Sequence, residues 1–204
     1  MTVTFMVSQI YYSAAKYLIS ASEINGLPSD EGAEVAFIGR SNSGKSSALN
    51  TITGIRGLAR TSSTPGRTQM INFFDLGQNC RLVDLPGYGY AKVPKPIKEK
   101  WSRFTNEYLE TRESLRGLVL VMDIRHPLKE QDWQILNWTA QCDLPCHILL
   151  TKADKLKPNK AKLSHRHVLD ELTGFDIVTV EVFSSQNRIG LEQAKATLDA
   201  WFLA

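Results

Sequence analysis

A three-layer α/β fold, in which a mostly parallel sheet with one antiparallel edge strand is flanked by helices, is what this sequence of 204 residues predicts. Three features carry that expectation. Short aliphatic runs of the kind buried on both faces recur along the chain, and segments with helical spacing separate them. One pair of runs, in contrast, lies too close together for a crossover helix between its members.

The N-terminal stretch "FMVSQIYYSAAKYLIS" is apolar but broken by Ser8, Gln9, Ser13 and Lys16, and it lacks a basic leading region. It is too short and too polar for a membrane span, so residues 1–32 are expected to form an extension packed on a single domain at 33–204. "VAFI" from Val35 reads as the first buried strand. In positions 69–84, "LGQN" joins two strand-like runs and implies a hairpin. Ile97, Trp101, Phe104 and Tyr108 fall at helical spacing and share a face. Trp133, Leu136 and Ala140 do so in a second helix, and Leu191, Ala194, Leu198 and Trp201 in a third. "GLVLVMD" from Gly117, "HILLT" from His147 and "IVTVEVF" from Ile177 supply further strands. Two Gly- and Pro-rich loops, "STPGRT" at 63–68 and "GYGYAKVPKP" at 87–96, fall at element ends, where such folds place ligands.

At 43% hydrophobic the chain can bury one full core, and two separately cored domains would be cramped. The net charge of +3 suits a nucleic-acid-rich partner and an ordinary soluble protein alike. Cys80, Cys142 and Cys146 are odd in number and lack C-x-x-C spacing, which supports neither a disulfide framework nor a zinc site. A reducing cytoplasm fits them best.

Chemistry begins at "GRSNSGKSSALN". Gly39, Arg40, Ser41, Asn42, Ser43, Gly44, Lys45 and Ser46 fit G-x-x-x-x-G-K-[ST] after a strand and before a helix, with Ser47 following. Backbone N–H groups at such a helix start point into a concave loop, and glycines let the backbone approach a polyphosphate. Lys45 would neutralise the β and γ phosphates, and Ser46 would give one oxygen to Mg2+. Asp84, Leu85, Pro86 and Gly87 form a D-x-x-G element, in which Asp84 would hold the magnesium through water and the Gly87 N–H would meet the γ phosphate. "TKAD" (Thr151, Lys152, Ala153, Asp154) would read the base. Guanine offers N1–H and N2–H on one edge, which a single carboxylate accepts together, whereas adenine presents a lone pair at N1 that the carboxylate repels. The stem of Lys152 would pack on the base while its tip reaches the phosphate loop. Phe183, Ser184 and Ser185 end the next run, where backbone N–H groups would meet guanine O6.

Together these elements make the chain similar to translation-factor-type small GTPases of the P-loop NTPase fold. "GRSNSGKSSALN", "TSSTPGRTQMINFF", "RLVDLPGYGYA", "GLVLVMDIRHPLK" and "LLTKADKL" resemble the EngB family, also called YihA or YsxC, over essentially the whole chain. The resemblance implies a bacterial cytoplasmic protein that binds GTP and GDP with magnesium and helps to assemble the large (50S) ribosomal subunit, with a role in growth, division and septation. It implies Gly66, Arg67, Thr68, Gln69 and Met70 as the first switch contact and Ser46 and Thr68 as magnesium ligands, with Lys45, Thr68 and Gly87 as the groups nearest the chemistry. The partner would be ribosomal RNA and ribosomal proteins. A monomer is expected, with no DNA contact.

Many regulatory GTPases carry a glutamine just after D-x-x-G to orient the attacking water; here that place is Tyr88. Slow intrinsic turnover follows as an expectation, with a stimulator that supplies a cation worth about 10³ to 10⁵. Asn42 admits two readings, a K+ ligand against the phosphates or a residue chosen for its turn conformation; turnover in potassium against sodium at fixed ionic strength separates them. Two other functions compete. A P-loop kinase would need clamping arginines, for which Arg56, Arg60, Arg67 and Arg125 are available, but it leaves "TKAD" without a purpose. A nucleotide-dependent RNA-binding scaffold would use the basic run Lys152, Lys155, Lys157, Lys160, Lys162, His165, Arg166 and His167.

Overall fold

The structure, a computed structural model, describes residues 9–60, 70–89 and 95–204, with the backbone alone over 95–102. The strands are β1 (Lys16–Ala21), β2 (Ala33–Gly39), β3 (Ile71–Gly77), β4 (Cys80–Asp84), β5 (Leu115–Asp123), β6 (Cys146–Thr151) and β7 (Val178–Val182). The helices are α1 (Lys45–Thr53), α2 (Lys95–Thr111), α3 (Glu130–Gln141), α4 (Pro158–Glu171) and α5 (Leu191–Phe202). Among the described residues the strands form one seven-stranded sheet in the order β1-β3-β4-β2-β5-β6-β7. β4, β2, β5, β6 and β7 pair in parallel.

The hairpin expected at 69–84 is β3–β4, turned by Gln78 and Asn79 at φ 54° and 57°. Positive φ at both central residues matches the right-handed twist of the flanking strands. β3 is the one strand that runs against the others. It does not close the sheet, because β1 pairs with it on the outer side. β1 carries no readable period: four of its six residues are exposed, and Tyr17 is held by edge-on contact with Phe74 at 6.4 Å and a hydrogen bond to Ser20.

Period-2 alternation divides the central strands between two cores. Val35, Phe37, Val119, Val121 and Leu149 face α1 and α5, while Ala36, Ile38, Leu118, Leu120, Ile148 and Leu150 face the opposite core with Leu136 of α3 and Val168 of α4. Leu191, Ala194 and Leu198 are buried as their spacing predicts, with Trp201 partly so. Phe104 and Tyr108 are buried on α2, whereas the side chains of Ile97 and Trp101 lie outside the described residues. On α3 the buried stripe is Asp132, Leu136 and Thr139, with Ala140 exposed. Thr139 can be buried because its hydroxyl donates to Leu136 O at 2.9 Å.

The far end of β2 carries a buried charge. Glu34, beside Arg81 in the β2–β4 register, accepts from Arg81 Nη1 at 2.9 Å, from Arg112 Nη2 at 2.7 Å and Nε at 2.9 Å, and from the Tyr108 hydroxyl at 2.9 Å. The two arginines also donate to the carbonyls of Pro28, Ser29 and Glu31, which ties the segment before β2 to the sheet.

Candidate functional site

The four sequence elements converge at the carboxyl ends of β2, β4, β6 and β7. β2 ends at Gly39, where a Cβ would stand 2.5 Å from Val121 O and 2.8 Å from Ser43 Oγ, so the turn closes only around glycine. Gly44 caps α1 at φ 103°, a left-handed conformation that a side chain would strain. The first intrahelical bond is Ala48 N–H to Gly44 O at 2.9 Å, so the amides of Gly44, Lys45, Ser46 and Ser47 precede the helical ladder. Those of Ser41 and Ser43 are used within the site, donating to Tyr88 O at 2.8 Å and Arg40 O at 2.9 Å. Asn42 adopts φ 64°, a left-handed conformation that asparagine enters more readily than most residues.

Asp84, 2% exposed at the end of β4, hydrogen-bonds the Lys45 ammonium, whose side chain is 10% exposed. Gly87 packs on the phosphate loop, its Cβ position 3.3 Å from Gly39 O and 3.5 Å from Ser41 N. Tyr88 continues that contact: its N–H donates to Gly39 O at 3.2 Å, and its phenol donates to Asp132 on α3. Burial, then the Asp132 carboxylate, push the Tyr88 phenol well above its ordinary range; burial raises Asp132 too. Asp132 Oδ2 also accepts from Lys129 N–H at 2.7 Å, capping α3.

The "TKAD" segment is bound to both neighbours. The Thr151 hydroxyl lies between Ser43 O and Met122 O, and Lys152, at φ 61°, sends its ammonium to Asn42 O at 2.5 Å. Ala153 N–H donates to Phe183 O at 3.2 Å. Asp154 Oδ1 accepts from Ser184 Oγ at 2.8 Å, and that bond, opposed by modest burial, holds the carboxyl below its ordinary range. Ser184 N–H is committed to Ile189 O at 3.1 Å. Of the two amides expected at guanine O6, that of Ser185 alone has no partner among the described residues.

Gly39 to Ser47, Asp84 to Gly87, Thr151 to Asp154 and Phe183 to Ser185 are therefore held together by direct bonds. Met70 is exposed at the start of β3, while Gly66, Arg67, Thr68 and Gln69 lie outside the described residues. Ser46 and Asp84 offer only oxygen donors, a set that fits magnesium better than a softer ion. Sequence reasoning did not single out Asp132 or Asp123. The sign the sequence offers for Asp123 is an aspartate that closes the apolar run "GLVLVM".

The 50S ribosome-binding GTPase family matches residues 34–152. A Coxiella burnetii relative named probable GTP-binding protein EngB is 58% identical over 192 residues, 94% of each chain. The chain belongs to the EngB family of 50S ribosome-binding GTPases. A second EngB relative, from Idiomarina loihiensis, is 54% identical over 195 residues, 95% of each chain. A crystal structure of a probable GTP-binding protein engB superposes with a TM-score of 0.67 at 22% identity, covering 83% of this chain and 98% of that one. The structure of Era in complex with MgGDPNP and a segment of 16S ribosomal RNA gives 0.66 at 19%, covering 84% and 57%; both show the shared fold. As an EngB-family member the chain is a GTPase.

Proposed function

We propose that the chain binds GTP and GDP with the base against Asp154 and the phosphates on the amides of Gly44 to Ser47, and that its nucleotide state controls docking on the large ribosomal subunit during assembly. One observation carries this reading: Lys152 joins the base-reading segment to the phosphate loop through Asn42 O, so one ligand would touch both. Ser46 and Thr68 would hold magnesium, with Asp84 behind a water, and the ion would supply charge neutralisation at the phosphates. Loss of the γ phosphate would release Thr68 and alter the surface offered to the ribosome. A cytoplasmic location follows from that partner; among the described residues no helix is long and apolar enough to cross a membrane.

Turnover without a stimulator would be slow, because the phenol at the water-orienting place is engaged by Asp132. Tyr88→Gln is expected to raise single-turnover GTP hydrolysis by about 10²-fold, the lower end of what one positioned group contributes. An unchanged rate, alone and on ribosomal particles, removes the argument.

RNA contact is proposed at α4. Of the eight basic residues in the run, Lys152 is turned to the phosphate loop and Lys155 lies 3.3 Å from Asp154. The His165 ring lies 3.3 Å from Val180 O, and Arg166 and His167 lie near Asp170 and Glu171. Lys157, Lys160 and Lys162 are exposed and have no acidic partner among the described residues. Lys157 caps α4 and Lys160 lies in its first turn, which holds no acidic residue, so these two cations add to the positive end of the helix dipole. Cosedimentation with large subunits should differ between GDP and a non-hydrolysable GTP analogue. Reversing the three lysines to glutamate should lower the salt slope of binding by about two to three, at roughly 0.7 to 0.9 per phosphate contact. Equal pelleting in both nucleotide states contradicts the switch, and an intact slope contradicts the α4 contact.

A further inference from the structure

We propose that Asp123 is a positioning residue that slows guanine-nucleotide release by fixing Lys152 between the base-reading segment and the phosphate loop. This rests on the GTP-binding reading above and adds a residue outside its four elements. Asp123 closes β5 directly opposite Thr151 in the β5–β6 ladder, and its Oδ2 lies 3.0 Å from Lys152 Nζ. The same ammonium donates to Asn42 O, so Lys152 spans three elements.

A lysine in this place needs an anchor. Its four-carbon stem has many rotamers, and holding the tip at one point costs conformational entropy. Asn42 O is a neutral acceptor; the Asp123 carboxylate gives the stronger, charge-assisted bond. Arg125 in turn fixes the carboxylate. Its Nε and Nη2 donate to the two oxygens at 2.9 and 2.6 Å, and its backbone N–H donates to Oδ1 at 3.0 Å. Burial alone would raise the Asp123 carboxyl, but the Arg125 and Lys152 bonds hold it well below the ordinary carboxylate range, so the anchor stays charged in the neutral range. Lys152 is thereby held across the gap before any ligand arrives, which lowers the cost of ordering it on binding.

Asp123 touches neither the base reader Asp154 nor the phosphate-facing amides, so its effect should pass through Lys152 alone. The test is a double-mutant cycle on the rate of GDP release from the full chain, using Asp123→Asn and Lys152→Met. Asp123→Asn should speed release by about tenfold, the worth of one charge-assisted bond, and by less than about twofold when Lys152 is already methionine. Arg125→Ala, an exposed change that leaves the fold intact, should speed release about threefold, again only while Lys152 is present. The ratio of release rates for GDP and inosine diphosphate, which lacks the 2-amino group, should be unchanged by Asp123→Asn. Equal acceleration in both Lys152 backgrounds, or collapse of the GDP-to-inosine ratio, overturns the proposal. Failure of the unaltered chain to retain GDP at all would instead contradict the function on which it rests.

Discussion

Asp154→Asn is expected to weaken GTP and GDP by about 10² to 10⁴-fold and to favour xanthine nucleotides in their place. In the proposed site the carboxylate would accept two hydrogen bonds from guanine, each worth about 1.5–3 kcal/mol when the acceptor is charged. Asparagine keeps an oxygen for N1–H but turns an amide N–H toward the 2-amino group, donor against donor. Xanthine carries a carbonyl at that position and accepts from the same amide. The carboxylate's partners matter here: Ser184 Oγ orients one oxygen at 2.8 Å, and Lys155 lies 3.3 Å from the other. Because the Ser184 bond depresses the Asp154 pKa, the charged acceptor is present above the ordinary carboxylate range and is lost only as pH falls below it. Guanine affinity should therefore be flat from neutral pH down through the ordinary carboxylate range. Competition binding with GDP and xanthosine diphosphate checks this, and an unchanged GDP affinity in Asp154→Asn would remove the carboxylate from base reading.

Glu34→Ala should destabilise the fold by about 3–5 kcal/mol, the cost of breaking a buried ion pair from one side. The loss exceeds that of the pair itself. Arg81, with its side chain 10% exposed, would keep its charge without a counterion, Arg112 would retain only Asp30, 3.4 Å from its Nε, and the Tyr108 hydroxyl would lose its acceptor. The carbonyls of Pro28, Ser29 and Glu31 would then be held by arginines that have lost their shared carboxylate. Denaturant unfolding measures the change; a loss under about 1 kcal/mol would mean that water reaches the cluster and screens it. Nucleotide selectivity should be untouched, since Glu34 stands at the opposite end of β2 from Gly39.

Glu34 also marks where reading the sequence ends. Its strand was legible because Val35 to Ile38 form an apolar run, but a glutamate at the head of that run gives no sign of two arginines that arrive from 81 and 112. The phosphate loop and "TKAD" were legible for a different reason: each is a short continuous segment whose chemistry depends on local spacing. Asp123 and Asp132 act through partners 29 and 44 positions away, at Lys152 and Tyr88, and only the fold brings such pairs together. β1 escaped notice because its residues show no alternation; pairing with β3, not burial, makes it a strand. Spacing alone points to Ala140 as a core position on α3, whereas Thr139 fills that place because a helix carbonyl satisfies its hydroxyl.

Calorimetric titration of nucleotide-stripped protein with GTP and with ATP tests the central claim most directly. A site that reads guanine through Asp154 should take up GTP about 10⁴-fold or more tightly than ATP. Comparable uptake of both would contradict it.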